Sequence, residues 1–151
     1  MRAAATLLAV VLVAGCAAQD EATQDGATME ETTTADPTLA DFAGTWEVTS
    51  TLEGTPDPVP STMTGTEDAS TWTMSLEGRP NIPLRVSMEG DSLIAHTEEY
   101  ESILRPGVMV TVRTASVLEG DALSGTLVAT YNTPTGEEVV RGTTTGTRVM
   151  R

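Results

Sequence analysis

The sequence contains no lysine, and its eight basic residues, all arginine, face 22 acidic residues for a formal net charge of -14 at pH 7. Without clustered basic residues, the chain offers no polybasic patch to phosphates or anionic lipid head groups, so we predict that it does not bind nucleic acid. Its one cysteine has no partner for an intramolecular disulfide. Glycine-rich phosphate loops and the nucleophile elbow of serine hydrolases are also missing.

The N-terminus has the pattern of an export signal. Met1-Arg2 supplies a positive charge, and residues 3–15 follow without a charge. This is a charged region followed by an apolar region, and it predicts a signal peptide over residues 1–15. The apolar stretch is shorter than the roughly 20 residues that a transmembrane helix needs, and polar sequence follows at once, which argues against a lasting membrane span.

The signal peptide ends in Val13-Ala14-Gly15-Cys16, which resembles the lipobox of bacterial lipoprotein precursors. The resemblance implies cleavage before Cys16, acyl chains on that cysteine and a lipid bilayer as the partner that holds the protein. Ala17 stands where an aspartate would favour retention in the inner membrane, so we expect the periplasmic side of the outer membrane. The alternative is an ordinary secretory peptide with a chance cysteine.

A tether and one domain follow the cysteine. Residues 16–41 are rich in Ala, Thr, Asp, Glu and Gln with almost nothing apolar. Such a segment buries too little surface to offset its ordering entropy, so a disordered linker is predicted there. Residues 42–151 are long enough for a single domain with one core.

Apolar and polar residues alternate with period two throughout this domain. In residues 71–76, for example, Trp72, Met74 and Leu76 alternate with hydroxyl-bearing residues. Alternation of this kind predicts strands with one buried face. Eight strands are expected near residues 44–53, 59–66, 70–77, 82–89, 92–101, 107–118, 122–131 and 138–149.

Tight turns separate these runs. Gly90-Asp91 and Gly120-Asp121 each lie between alternating apolar residues, and Pro134-Thr135-Gly136 separates the last two runs. Such pairs predict antiparallel hairpins. The fold class is therefore all-β, a barrel or a sandwich, and hairpin connections favour an antiparallel up-and-down barrel of about eight strands.

The first and last strands carry a family resemblance. Gly44-Thr45-Trp46 enters the first strand after Phe42, and Arg148 lies near the end of the last strand. This pattern resembles the calycin superfamily, the lipocalins and their barrel relatives. The resemblance implies that Trp46 closes one end of the barrel with the guanidinium of Arg148 across its indole, and that Gly44 completes a structural signature.

Three large side chains are candidates for lining a ligand cavity. Trp72, Met74 and Met88 lie on apolar faces of predicted strands, and large polarizable side chains suit irregular apolar ligands. The alternative is that they are ordinary core residues. For the lumen as a whole, the alternative to an open cavity is a narrow one or one filled by its own side chains, as in other small barrels.

The remaining ionisable residues suggest no catalytic or metal site. Strand alternation places His96 on one face with Glu98 and Tyr100, where a solvated histidine is expected rather than a metal ligand. Glu98, Glu99 and Glu101 form a carboxylate cluster, either a catalytic pair or a wet strand face, and we favour the second. We predict no cofactor and no enzyme activity. Surface charge explains three arginines, Arg85, Arg113 and Arg141.

The sequence thus predicts a membrane-anchored cell-envelope lipoprotein whose lipocalin-like barrel binds or carries a small apolar ligand. The alternative is a non-catalytic envelope protein with a filled core, such as an assembly factor or protease inhibitor, that works through its surface. An open apolar lumen would favour the first function. A filled lumen with an exposed apolar patch would favour the second.

Overall fold

The alternating segments form nine β-strands in residues 35–149, which are the residues that the computed structural model describes. Helical structure in this part of the chain is limited to α1, Leu39–Phe42, and a 3-10 turn, Ala69–Thr71. The predicted all-β class is confirmed. The strands are β1 (Gly44–Leu52), β2 (Val59–Gly65), β3 (Thr73–Ser75), β4 (Ile82–Glu89), β5 (Ser92–Thr97), β6 (Tyr100–Glu101), β7 (Met109–Glu119), β8 (Ala122–Thr133) and β9 (Gly136–Arg148).

Eight of these strands close into an antiparallel barrel. Each of β1 to β4 pairs with the next strand, β5 pairs with β7, β7 with β8, β8 with β9, and β9 returns to β1. The predicted up-and-down barrel is confirmed. Strand β6 pairs only with β7, so it is not one of the eight strands whose pairings form the closed series. Closure removes the free sheet edges that would otherwise invite pairing with other chains.

The hairpin turns predicted from Gly-Asp pairs are present. Glu89 pairs with Ser92, and Glu119 pairs with Ala122, so each turn has two central residues. The first central residues, Gly90 and Gly120, have φ values of 61° and 65°. Positive φ at this position matches the twist of the flanking strands and is accessible to glycine without strain.

The fifth predicted strand, residues 92–101, is interrupted by a bulge. His96 pairs with Arg113, and Tyr100 pairs with Val110, so three residues on this strand oppose two on β7. A bulge shifts the alternation by one residue. As a result Tyr100 lines the lumen while His96 lies on the exposed outer face. The expectation that His96 and Tyr100 share a face was therefore wrong.

Two clusters of apolar side chains lie inside the barrel, one at each end. The cluster at the Trp46 end contains Phe42, Trp46, Trp72, Leu84, Leu93, Ala95 and Leu123. The cluster at the opposite, Tyr131 end contains Leu52, Val110, Leu127, Ala129 and Tyr131. No helix among residues 35–149 is long and apolar enough to cross a membrane.

Candidate functional site

The lumen between the two clusters contains a cavity of about 90 Å³. This is smaller than the roughly 150 Å³ cavity known to admit benzene and well below the roughly 300–1,000 Å³ of ordinary ligand pockets. In its present shape the cavity admits a very small molecule or the end of a slender chain. Its larger apolar lining residues are Val48, Leu52, Val59, Met63, Met74, Leu76, Leu84, Tyr100, Ile103, Leu104, Val110, Val112, Leu123, Leu127 and Tyr131.

The cavity is electrically neutral. Among residues 35–149, no arginine, histidine or carboxylate side chain lines it. Burial raises the pKa of Tyr100 to about 12, Tyr131 adds to this increase, and Arg79 opposes it. The Tyr100 phenol is therefore uncharged at neutral pH, and the lumen favours uncharged ligands because an unpaired charge is costly to bury.

Of the three residues predicted to line a cavity, the structure places only Met74 there. Trp72 is 1% exposed and packs directly on Gly65, where an added Cβ would lie 2.1 Å from the indole ring. Its indole Nε1 donates to the carbonyl of Thr66 at 2.8 Å. Met88 packs against the same cluster at the Trp46 end. These two residues therefore pack at the Trp46 end of the barrel rather than around the cavity.

Sequence reasoning did not single out Met63 or Tyr131 as lining residues. Met63 pairs with Met74 across β2 and β3, and both side chains reach the cavity. Thioether side chains are flexible and fill irregular space. The adjacent pair is therefore the part of the wall that can most easily adjust to a ligand. Alternation along β2 could have identified Met63, because Val59, Ser61 and Met63 share the inward face.

The residues of the predicted structural signature meet at the Trp46 end. Trp46 and Arg148 are directly paired on β1 and β9, and the guanidinium carbon lies 4.2 Å from the indole centroid. Trp46 is fully buried. Gly44 has a φ of 132°, and a Cβ there would lie 3.0 Å from the Arg148 guanidinium. Glycine therefore leaves room for the stacked arginine.

Arg148 and Trp46 also hold α1 on the end of the barrel. The Trp46 indole Nε1 donates to the carbonyl of Phe42 at 2.8 Å. The Arg148 guanidinium donates to the carbonyls of Ala43 and Asp41, the latter at 2.7 Å. These contacts join the chain before β1 to the last strand. They close this end of the barrel.

A loop at the Tyr131 end, residues 102–108, forms what we name the mouth loop. Ile103 and Leu104 project from it into the cavity. Ser102 is 2% exposed, and its hydroxyl accepts hydrogen bonds from the amides of Leu104 and Arg105 at 3.1 Å each. The loop is thus a compact turn with an apolar underside that covers the opening.

Arg105 attaches the mouth loop to the barrel wall. Its two terminal nitrogens donate to the carboxylate of Glu138 on β9 at 2.8 and 2.7 Å. The guanidinium carbon also lies 4.3 Å from the ring centroid of Tyr131. Hydrogen bonding to Arg105 holds the pKa of Glu138 below the usual range of a glutamate. This arrangement is bidentate, the strongest geometry for such a pair.

Replacing Glu138 with glutamine is expected to loosen the mouth loop. The neutral amide loses the charge-assisted bidentate pair, so protection of the Leu104 and Val108 amides against hydrogen exchange should fall by roughly two- to fivefold. Glu98→Gln is the matched control, because Glu98 pairs with Arg85 at 3.5 Å on the outer face. Equal protection in wild type and Glu138→Gln would contradict the attachment.

The same attachment has a predictable pH dependence. Folding lowers the pKa of Glu138. The stabilisation of the mouth loop by the ionised Glu138 carboxylate is therefore complete above the ordinary glutamate pKa, and it is lost as the pH falls through the lower pKa of the folded state. At acidic pH the wild-type mouth loop should therefore approach the protection measured for Glu138→Gln.

The predicted carboxylate cluster is spread over different partners. The Glu99 carboxylate accepts a hydrogen bond from the side-chain amide of Asn132. The Glu101 carboxylate accepts one from the backbone amide of Gly107 at 3.0 Å. His96, Glu98 and Glu99 border a shallow outer depression. Within residues 35–149, no three His, Cys, Asp or Glu side chains group as potential metal ligands. Glu101 thus serves to hold the mouth loop.

Several predicted features lie outside the described residues: the signal peptide over residues 1–15, Cys16, and most of the linker. At the end of the predicted linker, Leu39 lies in α1 and packs against the cluster at the Trp46 end. No protein-family model and no curated protein sequence matches the chain. The features that the structure itself provides are the closed barrel and its neutral cavity.

Proposed function

We propose that this protein is a cell-envelope lipoprotein whose barrel binds or carries a small apolar ligand. The observation that carries the proposal is the neutral, largely apolar cavity enclosed within a closed barrel. Burying a ligand there is favoured by about 25 cal/mol for each Å² of apolar surface removed from water. We further propose that the barrel is non-catalytic.

The mouth loop supports ligand exchange at one end. The Trp46 end is closed by buried aromatic side chains, whereas Ile103, which lines the cavity from the mouth loop, is 39% exposed. Entry then requires displacement of a short surface segment rather than rearrangement of a strand. Movement of the Met63 and Met74 side chains would lengthen or widen the cavity around the incoming ligand.

The N-terminal sequence supports the cellular part of the proposal. A lipobox-like segment precedes Cys16, and Ala17 is compatible with transfer to the outer membrane in bacteria that have two membranes. Acylated Cys16 would hold the protein on the bilayer, with the barrel on the periplasmic side. The acidic linker would separate the two.

The volume of the cavity favours a second function. At about 90 Å³ the lumen is close to a filled core, as expected of an envelope interaction protein such as an assembly factor or a protease inhibitor. Such a protein would act through its surface, where Met109 and Val139 are exposed apolar residues. Its protein partner is not specified by these residues.

Native mass spectrometry of the protein extracted from its own host tests the binding function. We expect a co-purifying adduct of apolar character. Ala129→Leu adds bulk to a 1% exposed lining residue, and it should abolish the adduct, while Ala122→Leu on the exposed outer face should retain it. Repeatedly empty spectra of the wild-type protein would contradict the carrier function and favour the filled-core alternative.

A further inference from the structure

A stripe of hydroxyl groups crosses one wall of the lumen. Ser50, Thr144, Gly125 and Ser116 are successive partners across β1, β9, β8 and β7. Because these residues are paired in one row across the four strands, the side chains of Ser50, Thr144 and Ser116 lie on the same face of the sheet. This is the inner face, where all three line the cavity. Other hydroxyl-bearing residues, Ser61, Thr97, Ser102 and Thr114, also line the cavity, but only in this stripe do three such residues lie on one row of paired residues.

Gly125 keeps the middle of this stripe open. A Cβ at this position would lie 2.1 Å from the carbonyl oxygen of Ala115 and 2.8 Å from the hydroxyl oxygen of Ser116. A side chain is thus excluded between Ser116 and Thr144. The gap lets both hydroxyl groups face the cavity instead of packing against a neighbouring side chain.

The stripe has unused hydrogen-bonding capacity. Thr144 is 4% exposed and Ser116 is 6% exposed. The Thr144 hydroxyl accepts one long hydrogen bond, from the Ser50 hydroxyl at 3.5 Å, which leaves its own O–H group to donate. Among residues 35–149 no buried side-chain oxygen or nitrogen lacks a hydrogen-bond partner, so the Ser116 hydroxyl oxygen, for which no partner is found there, keeps accessible surface on the cavity that it lines. A hydroxyl group can donate once and accept twice, so these two buried groups can serve a ligand.

We infer that the ligand of this lumen is an uncharged molecule whose apolar body carries a hydrogen-bonding group, such as a hydroxyl or a carbonyl, that meets Ser116 and Thr144. This inference rests on the proposed binding function. A pure hydrocarbon in the cavity would leave these hydroxyls without hydrogen-bond partners, which is unfavourable. A matching polar group restores the hydrogen bonds.

The lumen does not favour anionic ligands, because the arginines near it already have other partners. Arg148 is stacked on Trp46 at the closed end. At the Tyr131 end, Arg105 is paired with Glu138, and Arg79 donates to the carbonyl of Glu101 at 2.8 Å. A carboxylate drawn into the cavity would therefore lose its hydration without meeting a cation.

Binding of three probes to the full chain carrying Cys16→Ser tests this inference, since that substitution keeps acyl chains and detergent out of the measurement. The probes are 1-hexanol, hexane and hexanoate. Their binding is measured by nuclear magnetic resonance, from the shifts of the backbone amide resonances. Because hexane is the more hydrophobic molecule, the informative quantity is the effect of a substitution on each probe. Thr144→Val and Ser116→Ala should each weaken binding of 1-hexanol by roughly three- to tenfold relative to hexane.

Thr145→Val removes a hydroxyl from the exposed outer face of the same strand and should leave the binding of all three probes unchanged. Ser116→Ala preserves the test if Thr144→Val does not fold. Binding of 1-hexanol that is unaffected by either lumen substitution, or hexanoate binding as strong as that of 1-hexanol, would overturn the inference while the binding function stands. Absence of binding by every probe would overturn both.

Discussion

Trp46→Ala is expected to lower the free energy of unfolding of the barrel by about 3 to 5 kcal/mol, the range for truncating a buried tryptophan. Trp46 is fully buried, and its ring carries the Arg148 guanidinium. Truncation would open a cavity at the closed end and leave the carbonyl of Phe42 without its indole donor. Urea denaturation followed by circular dichroism measures the loss.

Two further variants test this result, one at the same position and one at an exposed position elsewhere in the barrel. Trp46→Phe retains an aromatic face for Arg148 but removes the indole N–H, so it should fall between wild type and Trp46→Ala. Val139→Ala truncates a side chain that is 55% exposed and should change the unfolding free energy by less than about 0.5 kcal/mol. An unchanged denaturation midpoint in Trp46→Ala would refute its role in closing the barrel.

The barrel could be predicted because local signals and the global fold agree. The Gly90 and Gly120 turns fix antiparallel neighbours, and the inward-facing residues alternate strictly along most strands. A one-residue error in register would have turned the apolar face outwards, so alternation defines register strongly. The aromatic-arginine pair at positions 46 and 148 then indicated which strands meet to close the circuit.

The features that the sequence did not reveal depend on local irregularity. One extra residue at 98–99 reverses the alternation, and it directs Tyr100 into the lumen. Regular alternation cannot predict such a bulge. Similarly, the mouth loop is formed by contacts between positions far apart in the chain, such as Arg105 with Glu138, and neither residue has a distinctive local pattern.

The cavity itself was also beyond sequence reasoning. Periodicity identifies which side chains face inwards, but not whether they fill the space between them. Here the outcome depends on small inward residues, for example Gly125, where no Cβ fits, and Ala129. Trp72, a predicted lining residue, instead packs on Gly65 because glycine permits the indole to approach the backbone closely. The volume follows from these packing details.

Cys16→Ser is expected to shift the exported protein from the membrane fraction to the soluble fraction almost completely, as measured by fractionation and immunoblotting. Ala17→Ser changes the neighbouring residue without removing the thiol, so it should stay with the membrane. If Cys16→Ser still sedimented with membranes after export, acylation of Cys16 would not be the anchor.

The size of this effect follows from the energetics of acyl chains. Each buried methylene contributes about 0.8 kcal/mol, and one chain gives only marginal binding, whereas two or more hold a protein stably. Electrostatic attraction does not replace them, because the sequence has no lysine and a net charge of -14, so anionic lipid head groups repel it. Loss of the cysteine thiol therefore removes the main attraction to the bilayer and leaves electrostatic repulsion, which is why we expect an almost complete shift rather than a partial one.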